Sequence, residues 1–146
     1  MGSGAFAVPW SWREAAAMTQ SDLDAALFFD AVPGAYALYR AFADAVAERW
    51  PDAGCRVQKT QITFTNPRVF ACVSLLRAKR KAELPTPWIT VTLGLPYRLT
   101  SPRVAAAVEP RPGRWTTHIV VGNPDEIDRE LLDWVAEAYA FAARKR

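Results

Sequence analysis

With 146 residues, 51% of them apolar and 23% charged, the chain has the size and composition of one globular domain with a sizeable core. Its apolar runs all fall short of the roughly 20 residues a membrane-spanning helix needs, and its start shows no basic segment leading into an apolar one, so neither a span nor a secretory signal is expected. The formal net charge of +3 conceals a segregation: residues 55–118 hold eleven Lys and Arg against only Glu83 and Glu109, while both flanking stretches are acidic.

Residues 1–17 read as an N-terminal extension or an expression-derived tag, with Met18 opening a single α+β domain over 18–146. Against this, Ser11 and Glu14 have capping-box spacing, and Trp10 and Trp12 could dock on a core. Ser21 is the expected N-cap of a first helix, with Asp22 and Asp24 in its first turn and Leu23, Leu27 and Phe28 facing inward. Pro33 suits the first turn of a second helix over about 34–50. Leu38, Tyr39, Phe42, Val46 and Trp50 form its inner stripe, spaced by three and four. Pro51 to Gly54 ends it.

The stretch Cys55–Thr65, rich in Thr, Val, Ile and Phe, predicts one strand. Asn66-Pro67 marks a turn, and Arg68–Arg77 hairpins back. Ala78 to Ala82 is a basic loop, and Pro85 and Pro87 frame the next strand. There Ile89, Val91, Leu93 and Leu95 alternate with Trp88, Thr90, Thr92 and Gly94, the period of a half-buried strand. Ser101-Pro102 predicts a short helix to about Val108, followed by a stiff loop at Pro110, Pro112 and Gly113. Trp115–Val121 is the last strand. Asn123, Pro124 and Glu126 have the spacing of a capping box for a final helix. Ile127, Leu131, Trp134, Val135 and Ala138 form its buried stripe, and Arg144, Lys145 and Arg146 its basic end. The fold class is therefore α+β, an antiparallel sheet of about four strands packed against N-terminal helices and a C-terminal helix. Cys55 and Cys72 are expected on neighbouring strands, as reduced thiols of a cytoplasmic protein.

His118 is the only histidine, and no G-x-S-x-G elbow surrounds a serine. Two cysteines and one histidine do not make a zinc site. Asp52 and Lys59 resemble part of a metal-nuclease pattern, but Val57 stands where its second acid belongs. The seven glycines are scattered, so no loop cradles phosphate. No catalytic residue, cofactor or metal is expected. Two binding readings stay open. In one, Lys79, Arg80, Lys81 and Arg111 hold a polyanion such as nucleic acid, with Trp88, Tyr97 and Trp115 available for stacking. In the other, Lys59, Tyr97, Arg103, Arg114 and His118 converge on a small-molecule pocket or an undetected active site. The basic middle could equally be neutralised by the acidic helices, within a monomer or across a homodimer.

The run Lys59 to Phe64, then Phe70-Ala71, Leu93 to Pro96, Ser101-Pro102-Arg103, Pro112 to His118 and Glu137-Ala138-Tyr139 resembles an uncharacterised bacterial family. That family is a domain of unknown function, also found as the C-terminal part of longer proteins labelled predicted transport proteins. The resemblance covers Ser21 to Ala143 and implies a small intracellular α+β domain with no established activity. More distantly, the order of elements looks like the YjbR type of small bacterial domain, sometimes described as DNA-binding on grounds of fold.

Overall fold

The computed structural model describes residues 20–144. The expectations for residues 1–17, Met18, Lys145 and Arg146 lie outside the described residues. Helices α1 (Gln20–Phe28) and α2 (Ala35–Arg49) come first, and α3 (Arg129–Arg144) comes last. Between them run β1 (Gly54–Val57), β2 (Ile62–Thr65), β3 (Val69–Ser74), β4 (Ile89–Leu95), β5 (Val104–Arg111) and β6 (Arg114–Val121). All lie in one sheet of order β1-β2-β3-β4-β6-β5, with every neighbouring pair antiparallel. The α+β class and the flanking helices are as expected. The strand count is corrected from about four to six.

The two additional strands have separate causes. The stretch from Cys55 to Thr65 folds on itself, because the Gln58 N–H donates to the Gln61 carbonyl at 2.9 Å and closes a β1–β2 hairpin. Cys55 and Cys72 consequently lie on β1 and β3 with β2 between them, not on neighbouring strands. The expected short helix after Ser101 is instead β5. Pairing with β6 supplies the backbone hydrogen bonds that a helix over Ala105–Ala107 would otherwise provide, and so overrides alanine's helical preference. Pro110 fits this edge strand because it falls where the register shifts between Val108 and Arg111. Pro112 and Gly113, the latter at φ 78°, turn the chain into β6 in the manner of a type II turn.

The helices cover one face of the sheet. Leu38, Tyr39, Phe42 and Val46 of α2 are buried, as their spacing requires. They meet Ile62 and Phe64 of the sheet, with the Phe42 and Phe64 rings edge to face at 5.5 Å. Tyr139 of α3 stacks on Trp50 at 5.2 Å and meets the edge of Phe70 at 5.0 Å, which ties both helix ends to β3. In α1 the expected inward face holds only at Phe28, which packs against the core; Leu27 is 72% exposed and Leu23 is 39% exposed, while Ala25 and Phe29 are buried. Ser21 lies inside this helix rather than capping it, and Pro33 stands before the N-cap of α2, which is Gly34.

Asn123 and Glu126 do form a reciprocal capping box, but around a single 3-10 turn at Pro124–Glu126. The long helix has its own cap: Asp128 Oδ1 accepts from the Leu131 N–H at 3.0 Å. Behind it Leu131, Trp134, Val135 and Ala138 are buried as expected.

Candidate functional site

Because Val91, Leu93 and Ile119 face the helices, their neighbours along each strand face away. The register sets Arg56, Thr63, Cys72, Thr92, His118 and Ala106 side by side in one row across all six strands. Gly94, Thr116 and Val108 make part of the next row. Thr92 Oγ1 and His118 Nδ1 share a hydrogen bond of 2.9 Å. Partial burial holds the His118 imidazole below its ordinary pKa. Burial also pushes the Cys72 thiol up to about 11, against the opposing pull of the Arg114 guanidinium.

Arg114 lies over Gly94. A Cβ at Gly94 would stand 3.1 Å from Arg114 Nη1 and 3.2 Å from Nη2, so the absent side chain is what lets the guanidinium approach the sheet. Arg114, Thr116, Gly94, Thr92 and Cys72 border a cleft of about 60 Å³, walled by Val69 to Ala71.

The basic loop makes a second feature. Arg77, Lys79 and Arg80, with Glu83, surround an open groove of about 650 Å³ against Val104 and Ala105 at the start of β5. Arg80 Nη2 lies 3.3 Å from Glu83 Oε2. Lys81 begins the adjoining 3-10 turn, Lys81–Glu83. Arg111 stands at the other end of β5, paired in register with Arg114 and roughly 23 Å from Val104 at the usual rise per residue. The sequence-predicted polyanion residues are thus divided between the two ends of one edge strand.

The residues expected to converge on His118 do not share one place. Lys59 sits in the β1–β2 turn, on the far side of the sheet from β6. The Tyr97 hydroxyl donates to Glu137 of α3 at 2.6 Å; burial first, then this carboxylate, push it up to about 12. Arg103 is held at the start of α3, with Nη1 3.0 Å from both Asp128 Oδ1 and Glu130 Oε1, Nη2 donating to the Glu126 carbonyl, and its guanidinium over the Trp134 ring. Burial raises the Asp128 carboxyl, but the Leu131 N–H and Arg103 outweigh it and hold the group below the usual carboxylate range. Only Arg114 and His118 occupy the same sheet face.

Of the eleven bases in residues 55–118, only Arg80 and Arg103 lie within ion-pair distance of a carboxylate among the described residues. Apart from Asp128 and Glu130, which reach Arg103, the ion pairs of the helix layer lie within that layer, as in Arg49–Asp133 and Arg40–Asp44. The aromatic side chains do not form a stacking platform. Trp88 is buried, Tyr97 is engaged with α3, and Trp115 lies half-buried on the helix side in line with Leu95, beneath Arg98.

Sequence reasoning missed Thr92, Gly94 and Thr116 as site residues. The signal was present in β4, where an interior glycine in an otherwise regular alternation marks a close approach. Reasoning also missed a cleft of about 250 Å³ between α1, α2 and β1, where Tyr39 Oη lies 3.3 Å from Cys55 Sγ. Among the described residues no cluster of His, Cys, Asp or Glu could hold a metal ion, and no helix is long and apolar enough to cross a membrane. The family described as a domain of unknown function (DUF5655) matches residues 27–142. No curated protein and no solved structure matches the chain.

Proposed function

The chain belongs to the DUF5655 family of domains of unknown function, and from that premise we propose that it binds an extended polyanion, nucleic acid foremost, through its sheet layer. The ligand's path runs from the groove at Arg77, Lys79 and Arg80, along β5, to Arg111 and Arg114. The carrying observation is that nine of the eleven bases between Cys55 and His118 lack a carboxylate partner among the described residues. A surface with unneutralised cations gains free energy by releasing the counterions condensed on a polyanion. With no aromatic platform beside these charges, the recognition rests on phosphate and is indifferent to base sequence.

The test is fluorescence anisotropy with labelled single-stranded oligonucleotides at about 50 mM salt. Saturable binding at roughly 1–100 µM, equal for unrelated sequences, is the expected result. No binding at about 100 µM protein would overturn the reading.

A further inference from the structure

We infer that Arg114, Thr116 and Thr92, gathered over the bare backbone of Gly94, form a subsite for one phosphate-type oxyanion. The inference deepens the polyanion reading, on which the subsite's place at the end of the ligand's path rests. A guanidinium is a planar fork of N–H donors that suits an oxyanion bidentately. This one has no carboxylate partner among the described residues, and it lies over Gly94, where a Cβ would stand only 3.1 Å from Nη1. Beside it the cleft of about 60 Å³ is lined by Thr92 and Thr116; the Thr116 hydroxyl can donate to the same anion, and the Thr92 hydroxyl can do so in the tautomer that puts the His118 proton on Nδ1. His118, beside Thr92 on the neighbouring strand, holds its Oγ1 at 2.9 Å; donating from Nδ1 it leaves the threonine hydrogen for the anion, so the imidazole is a positioning group. The Cys72 thiol completes the edge as a neutral neighbour that adds no repelling charge. Arg114, Thr92 and Thr116 are each half-buried, and partial exclusion of water strengthens a charge-assisted hydrogen bond.

The experiment is amide and Arg-side-chain NMR of the full chain, titrated with inorganic phosphate at constant ionic strength. Saturable shifts at Cys72, Thr92, Gly94 and Thr116 and at the Arg114 Nε–H are expected. Arg114→Gln should weaken the midpoint about tenfold, the value of a lost charge-assisted pair. Gly94→Ala should weaken it less, by about two- to threefold, while keeping every charge, because a Cβ 3.1 Å from Nη1 forces the guanidinium to shift by a few tenths of an ångström. If Gly94→Ala loses its dispersed spectrum, Arg114→Lys replaces it: a point charge without the fork should still bind more weakly than arginine. Shifts that never saturate, or that persist unchanged in Arg114→Gln, overturn the subsite.

A second titration with an oligonucleotide separates the sources of the phosphate. Competition at the same amides, with both ligands weakened by Arg114→Gln, assigns the subsite to a nucleic-acid backbone. Phosphate binding without any oligonucleotide binding supports the subsite for a free phosphate ester and overturns the polyanion reading. Oligonucleotide binding without phosphate shifts at these amides does the reverse.

Discussion

Two buried threonines show how much a single partner decides. Thr90 is fully buried, and its hydroxyl donates to the Leu76 carbonyl at 2.7 Å. Thr117 is equally buried, on the helix side of β6 opposite Leu93, and its hydroxyl has no hydrogen-bond partner. A buried unpaired hydroxyl costs about 1–3 kcal/mol, whereas an apolar group of the same shape costs nothing comparable. Thr117→Val should therefore stabilise the fold by about 1 kcal/mol, and Thr90→Val should destabilise it by a similar amount. Urea midpoints at unchanged slope would read both; a loss of stability in Thr117→Val would show that its hydroxyl is satisfied. In sequence Thr90 alternates with Ile89 and Val91 while Thr117 stands between Thr116 and His118, and neither pattern says which hydroxyl finds a partner. The difference comes from a carbonyl fourteen residues away in a loop, which no local pattern reveals.

Between elements, the contrast is between α1 and α3. In α3 the apolar stripe repeats over four turns, so its phase is fixed by the sequence, and Leu131 is 0% exposed. Leu131→Ala should cost about 2–5 kcal/mol, against under about 0.5 kcal/mol for Leu27→Ala, measured by denaturant unfolding. Equal costs would put Leu27 in the core. The nine residues of α1 leave two phases open, and the larger side chains suggest the wrong one; the structure turns Ala25 inward and relies on Phe29 beyond the helix end. The hidden strands were illegible for related reasons. The β1–β2 turn at Gln58 to Gln61 contains no glycine, proline or asparagine to announce it. The identity of β5 depends on the exposed edge of β6, a partner ten or more residues downstream for most of its length. The capping box at Asn123 was legible, but a second cap at Asp128, five residues on, takes over the helix.

For the molecule as a whole, the segregation of charge was legible in the sequence, but its fate was not. Whether the acidic helices neutralise the basic middle depends on which carboxylates reach across, and among the described residues only those around Arg103 do so from the helix layer. If the remaining cations hold a polyanion, replacing Lys79, Arg80 and Lys81 together by Ala should lower the slope of log affinity against log salt by about 2, at roughly 0.7 per lost single-strand phosphate contact. Stability should change by less than about 0.5 kcal/mol, since these are surface positions. An unchanged slope in the anisotropy assay would take the loop out of the ligand's path. The segments flanking residues 55–118 carry thirteen of the fifteen acids and supply the helices that cover one side of the sheet, while residues 55–118, which hold most of its strands, carry eleven of the eighteen bases. Such a molecule has a permanent dipole moment directed across its thickness. In the field of a large anionic object it experiences a torque before contact, so it arrives sheet-first, and orientation is selected during approach rather than by trial collisions.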